Sequence, residues 1–327
     1  MLDSKVSKRI DDALNFREPD RVPVCDFLHN KKAFYYFSHK NNPAVEDKVK
    51  AYHELGVDIC WRFERREAHR FDKIWNYLKQ YTSRKHHFHA LSKDEIQKEF
   101  EDFQQQQKLF EPYTYLAMCA EGCLSVAYRS LGAENFCEKM YVEPIEIDRL
   151  IDIFAENLYV KANEFARRKL GKVFFINDDV GYEKGLIFSE NFLQQHWFPR
   201  IKDAIVPLKQ AGIKVVLHSE GDLRNIIDGL VEIGIDGIHP VDGLAGMNLG
   251  ILKKLFAKSL LLFGNVCLSG QEEKDIIEQT KKCIQNAAFG GGYFIGTRDG
   301  MYDNIELPQI FTFFNTIRDF GSYPINT

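Results

Sequence analysis

KVVLHSEGDLRNIIDGLVEIGIDGIHPVD, residues 214–242, holds one full repeat of the fold. Val215, Val216 and Leu217 read as a buried strand that runs straight into His218, Ser219, Glu220, Gly221 and Asp222. Apolar residues then recur at helical spacing through LRNIIDGLVEIG, which ends on a glycine suited to a C-cap. A second apolar run, DGIHPVD at 236–242, again finishes in polar chemistry, at His239 and Asp242.

The same alternation extends outward. Strand-like runs occur at 21–27, 56–63, 172–178, 214–220, 236–242, 260–266 and 292–297, with one more near 116–125. The stretches between them carry helical periodicity, as in ENFLQQHWFPRIKDAIVPLKQAG (190–212, closed by Gly212) and QEEKDIIEQTKKCIQNAAFGGG (271–292). Eight strands separated by helices predict an α/β chain of the (β/α)8 TIM-barrel class, a single domain over 1–327 with an N-terminal helix. No Gly-x-Gly-x-x-Gly follows a strand, which argues against a dinucleotide-binding open sheet. Residues 64–115 are rich in charge and glutamine and read as an insertion. Within it Ser92 and Glu95 have capping-box spacing, Gln104 to Gln107 read as a solvated helix face, and His86, His87 and His89 read as a surface segment.

Composition bounds the function. The 327 residues are 45% hydrophobic and 28% charged, as expected of a globular chain, and the net charge of −4 offers no basic field for nucleic acid. There is no signal-peptide pattern and no apolar run of membrane-spanning length, so the expectation is a cytoplasmic protein acting on a small molecule, without a membrane. Seven scattered cysteines without a CxxC pair suggest reduced thiols; the pair Cys119 and Cys123 reads as structural.

In a barrel of this class, reactive groups project from the C-terminal ends of the strands. The polar residues there are Asp26 and His29, Arg62, Glu121, Asp178 and Asp179, His218 and Glu220, His239 and Asp242, Asn265, and Thr297, Arg298 and Asp299. Singly, each reads as a loop cap or ion pair. Together they predict a solvated cup, because burying so many unpaired groups would cost about 1–3 kcal/mol each. Asp178 and Asp179 are adjacent, so a strand sends them to opposite sides: one into the cup, the other to a cap or a basic partner outside. His218 and Glu220 are two apart, which on a strand gives one shared side and a workable metal edge for zinc, iron or manganese.

Several segments resemble the uroporphyrinogen decarboxylase superfamily. RIDDALNFREPDRVPV (9–24) is similar to its opening helix and first strand, NDDVGYEKGLIFSENFLQQHWFPRIKDAI (177–205) to its Asp-rich strand and the helix after it, and GIKVVLHSEGDL (212–223) to its His-bearing strand. LLFGNV (261–266) and GYFIGTRDGMYDNI (292–305) resemble its last two strands. The resemblance implies a (β/α)8 barrel, commonly paired as a homodimer, and either porphyrinogen decarboxylation or metal-dependent methyl transfer with a corrinoid protein.

The departures weigh between these. Decarboxylases of the superfamily carry an Arg-rich segment after the first strand, whose forked donors suit a substrate with many carboxylates; this chain has DFLHNKK, with Lys31 and Lys32. The methyltransferases resemble one another in a His-x-Cys strand and a Cys before Gly in the last loop. Here His218 is kept, Glu220 and Asp299 stand at the two Cys positions, and the resemblance therefore implies a metal set of His218, Glu220 and Asp299. That set is harder than its thiolate counterpart and suits zinc first, with manganese or iron(II) as alternatives. The leading expectation is a methyltransferase acting with a corrinoid partner on a small methylated or methyl-accepting substrate, with Asp178, Asp179, His218 and Asn265 as catalytic candidates. Asp26, His29, Arg62, His239, Asp242 and Arg298 are then the candidates for substrate binding. A decarboxylase of uroporphyrinogen or a smaller acid, and a barrel that binds a ligand or corrinoid partner without turnover, are the alternatives.

Overall fold

A computed structural model describes residues 1–63 and 91–325; His86, His87 and His89 lie outside the described residues. The chain starts with helix α1 (Ser4–Leu14), strands β1 (Cys25–Asp26) and β2 (Leu28–His29), helices α2 (Lys31–Ser38) and α3 (Val45–Leu55), and β3 (Ile59–Cys60). Helix α4 (Lys93–Phe110) leads into β4 (Tyr115–Leu116) and β5 (Met118–Glu121). Next come α5 (Leu124–Leu131), α6 (Ala133–Val142), α7 (Pro144–Arg167), β6 (Val173–Asn177) and the small hairpin β7 (Gly181–Tyr182) and β8 (Gly185–Leu186). One helical turn at Glu190–Phe192 and a π-helical turn at Leu193–Trp197 precede α8 (Phe198–Gln210). The remainder alternates: β9 (Lys214–His218), α9 (Ile227–Ile233), β10 (Gly237–His239), α10 (Leu249–Phe256), β11 (Leu261–Phe263), α11 (Glu273–Ala287), β12 (Tyr293–Phe294), β13 (Met301–Tyr302) and α12 (Leu307–Phe320).

All eight strand regions read from the sequence are present, each shorter than its apolar run. They fall in two compact units, one from residues 1–63, 103–118 and 236–325, the other from 91–102 and 119–235 among the described residues. In the first unit, β1 pairs in parallel with β3 (Cys25 opposite Ile59) and β3 with β4 (Ile59 opposite Tyr115). β10 pairs in parallel with β11 (Gly237 opposite Leu261) and β11 with β12 (Leu262 opposite Tyr293). A parallel bridge between Val24 and Ile295 links the two sets. In the second unit, β6 runs parallel to β9 from Val173 opposite Lys214 to Asn177 opposite His218, with β5 on the other side of β6. Every residue of β6 is buried, the pattern of a parallel strand covered on both faces.

The opening segment is fastened by charge. Asp58, buried before β3, accepts from Arg9 Nη1 on α1 at 2.6 Å, from Arg21 Nη1 at 2.7 Å and from the Val24 backbone N–H at 2.8 Å. Arg9 also forks onto Asp20 at 2.7 and 2.6 Å. The residues of RIDDALNFREPDRVPV that look most like chemistry therefore hold α1 against the start of the first strand.

The expected insertion contains a helix and a strand. Ser92 and Glu95 form the capping box, with Ser92 N–H donating to Glu95 at 2.9 Å and Glu95 N–H to Ser92 Oγ at 3.3 Å, at the start of α4. The glutamine run is less solvated than its composition predicts: Gln104, Gln106 and Gln107 are half-buried, and Gln107 donates to the Leu116 carbonyl at 3.2 Å. All seven cysteines are thiols.

Candidate functional site

The residues read as a polar cup occupy two groups, one in each unit. In the second unit the centre is Asp178, just past β6 and 0% exposed. Its carboxylate accepts from the Leu124 and Ser125 backbone N–H groups at 3.2 and 2.5 Å, at the start of α5, and from the Trp197 indole N–H at 2.7 Å. Burial pushes its pKa up against the pull of these donors. Gly122 makes the approach possible, since a Cβ there would lie 2.2 Å from the Asp178 side chain. Trp197 belongs to the π-helical turn, an irregularity common at functional sites.

Asp179 turns to the basic partner expected for one member of the pair. It forms an ion pair with Arg129 of α5 and accepts from the Glu220 backbone N–H at 3.2 Å. The other half of that expectation changes. Asp178 serves as a buried cap for α5, so the reading of an acid open to the cup does not describe it.

His218 is the last residue of β9 and 8% exposed. Ser219, fully buried, accepts from the Val180 and Gly181 N–H groups at 3.0 and 3.2 Å and donates to the Glu220 carbonyl at 3.1 Å, so its hydroxyl shapes the turn. Glu220 is exposed and lies beyond the strand. Strand alternation therefore ends before it reaches Glu220, and the two-apart spacing sets no shared side. Gly221 has φ of +89°, and a Cβ there would lie 2.2 Å from the Tyr182 nitrogen, so the loop after His218 needs a glycine to pass the hairpin. Glu121, at the end of β5, accepts from Asn177 Nδ2 at 3.1 Å.

In the first unit the centre is Asp26, 1% exposed. Its Oδ1 accepts from the Phe27 N–H at 2.8 Å and the Thr297 hydroxyl at 3.0 Å, and its Oδ2 from the Thr297 N–H at 2.7 Å. These donors are neutral, and burial outweighs them and raises its pKa to about 7. Asp26 thereby ties the end of β1 to the loop after β12.

That loop carries Arg298 and Asp299. Arg298 Nη2 donates to Asp299 Oδ2 at 2.7 Å, and Nη1 stands 4.0 Å from Asp242 Oδ1. Asp242 itself accepts from the Leu244 and Ala245 N–H groups at 3.0 and 3.4 Å. Asn265 donates to the Val241 carbonyl and accepts from the Cys283 thiol at 3.4 Å. Aromatic rings line the same strand ends: His239 lies 4.6 Å from Trp61, Trp61 lies 5.2 Å from Phe27, and His29 stacks on Tyr302 at 5.8 Å. Arg62 is exposed, with its guanidinium 5.9 Å from the Phe27 ring centroid.

Among the described residues, no group of three or more His, Cys, Asp or Glu side chains is arranged to hold a metal ion. The donors named in the sequence have other engagements: Asp299 pairs with Arg298, and Glu220 stands beyond the strand edge that would have aligned it with His218. No chemical step is assigned to a metal here.

Sequence reasoning missed Trp197, Ser219 and Arg129. Trp197 sits at ordinary apolar spacing in its helix, and nothing local marks it as the donor to Asp178. Arg129 gave a weak signal, as a cation in an otherwise apolar LSVAYRSL.

Parallel strands in β/α order with polar residues at their ends define an α/β barrel of the enzyme-bearing kind. The sequence profile of the uroporphyrinogen decarboxylase (URO-D) family matches residues 103–320, and the chain belongs to that family, whose fold is a TIM barrel. Among solved structures it is similar to a methyltransferase from Methanosarcina mazei, with a TM-score of 0.73 and 16% identity over 96% of this chain and 98% of that one. No curated protein matches the sequence. None of the described helices is long and apolar enough to cross a membrane.

Proposed function

We propose that this chain is a methyltransferase that exchanges a methyl group between a small substrate and a corrinoid carried by a partner protein. The observation that carries the reading is the charge around the strand ends of the first unit. A substrate with many carboxylates needs several forked cationic donors. Lys31 and Lys32 are instead exposed at the start of α2 and face Asp303 at 3.8 Å and Glu306 at 2.6 Å. Arg298 stands between Asp242 and Asp299. Such a surroundings suits a small substrate with few charges and opposes a polycarboxylated macrocycle. The likeness to the Methanosarcina methyltransferase supports the same choice within the family.

In this reading Asp26 and Thr297 fix the loop after β12, Arg298 and Asn265 contact the substrate, and the aromatic groups at Trp61 and His239 exclude water. Within the second unit, Asp178 holds α5 and the π-helical turn in place. The partner's corrinoid, as cobalt(I), would supply the electron pair for the new bond to the methyl group, and the heteroatom would leave with the pair of the broken bond and take up a proton where it leaves as an anion.

The test is incubation of the purified protein with cob(I)alamin and separate panels of methyl ethers, methylamines and methyl thioethers, following methylcobalamin by its visible absorption. One donor class is expected to give methylcobalamin at a rate that depends on protein, while uroporphyrinogen is recovered unchanged. Products of uroporphyrinogen with fewer carboxyl groups, in the absence of methyl transfer, overturn the proposal in favour of decarboxylation.

A further inference from the structure

Arg298 has a fixed base and an incompletely used head. Its backbone N–H donates to the Val266 carbonyl at 2.9 Å, and the residue before it is clamped on both its N–H and its hydroxyl by Asp26. The guanidinium carries five N–H donors. Asp299 accepts one at 2.7 Å, Asp242 at 4.0 Å lies beyond hydrogen-bond reach of Nη1, and the buried Nε has no hydrogen-bond partner among the described residues. A half-buried guanidinium whose Nε is shut off from water and which meets one carboxylate through one nitrogen is short of the acceptors its planar fork can engage.

The two acids differ. Asp242 is tied to the backbone of its own loop through Leu244 and Ala245. Asp299 has a side chain 41% exposed against 21% for Arg298, and among the described residues that arginine is its hydrogen-bond partner. An ion pair with one exposed partner contributes only about 0–1 kcal/mol, so an incoming anion can displace Asp299 at little cost.

We propose that Arg298 is the anchor for a single carboxylate on the substrate, and that Asp299 occupies this anchor in the unliganded protein as an internal stand-in for that carboxylate. The charge balance selects a carboxylate over a phosphate. A carboxylate adds one negative charge beside Asp242 and the displaced Asp299, whereas a doubly charged phosphate adds two and meets more repulsion. The rings of Trp61, His239 and Phe27 at the same strand ends suit a carboxylate borne on an apolar body. The inference rests on the reading that these strand ends hold the substrate, and names the class of molecule they select.

Binding of benzoate, with inorganic phosphate for comparison, is measured by calorimetry on the full chain as wild type, Asp299→Asn, Arg298→Gln and Arg298→Lys. Asp299→Asn is expected to bind benzoate about three- to fivefold more tightly than wild type, since it removes a competing carboxylate from a pair of about 1 kcal/mol. Arg298→Gln is expected to weaken binding by about tenfold or more, the loss of a charge-assisted bond, and Arg298→Lys to recover only part. Phosphate is expected to bind wild type more weakly than benzoate. Equal affinity in Arg298→Gln and wild type, benzoate binding weakened by Asp299→Asn, or no binding to Asp299→Asn at all, overturns the proposal. Thermal melts of each variant separate loss of binding from loss of fold. Because the readout is binding, these results stand whether or not methyl transfer is found, and a methyl donor without a carboxylate would retain the function while removing the anchor.

Discussion

Asp26 shows how one buried carboxyl couples a strand end to solution pH. Fully enclosed and served by three neutral donors, it is more easily protonated in the folded chain than in the unfolded one, with a folded pKa of about 7 against 3.8. The folded state therefore binds the extra proton. Its contribution to stability is complete below the unfolded value, falls as pH rises, and is lost once the pH passes about 7. Asp26→Asn keeps a neutral group of the same shape and removes the titration. Compared with wild type, the variant should become relatively more stable as pH rises from 4 to 8, by on the order of 2–4 kcal/mol in total. Urea unfolding at intervals across that range measures it; a stability difference that does not change with pH shows that Asp26 does not titrate there. His218 teaches a different lesson at this scale. Its position at a strand tip was legible because an apolar run stops there, but its relation to Glu220 was not, because the chain leaves the strand at the very next residue.

At the scale of elements, the opening helix illustrates why a motif can identify a fold without marking its chemistry. Arg9, Asp20, Arg21 and Asp58 come from three separate stretches, and their attraction adds to the burial of Val6, Ile10, Ala13 and Leu14 in holding the helix. The buried Asp58 carboxylate balances two guanidinium groups, so Asp58→Ala leaves both without their shared partner. The expected loss is about 3–5 kcal/mol. Hydrogen exchange should show it first in the amides of α1, and uniform exchange across the chain would show that this helix is not the element Asp58 holds. The helices themselves were readable from their 3.6-residue periodicity and glycine stops, and Gly234 closes α9 in a left-handed conformation as its place in the pattern suggests. The π-helical turn was not readable, because one extra residue in a turn leaves the apolar spacing of LQQHW almost unchanged.

For the whole molecule, β/α alternation made the architecture legible, since each strand and helix carries its own period in the sequence. The candidate site is less legible because its partners are distant: Asp178 meets residues 54 and 53 positions earlier, and Asp26 meets one 271 positions later. A resemblance supplies residue types at aligned positions, yet the engagement of each depends on neighbours that alignment does not display. The metal set is the clearest case. The resemblance implies His218, Glu220 and Asp299 as ligands, while Asp299 is taken up by Arg298 and the described residues present no ligand cluster. A ligand that binds the folded state raises stability by RT ln(1 + [L]/Kd), about 2.7 kcal/mol at one hundred times Kd. Addition of zinc, manganese or iron(II) to chelator-treated protein is accordingly expected to leave its melting temperature unchanged, and His218→Ala to behave like wild type in the same titration. A metal-dependent rise that vanishes together in His218→Ala, Glu220→Gln and Asp299→Asn would show that the three residues gather on the ion. It would also show that the Arg298–Asp299 pair opens to let them do so, because the Asp299 oxygen that now accepts from the guanidinium would have to turn to the ion.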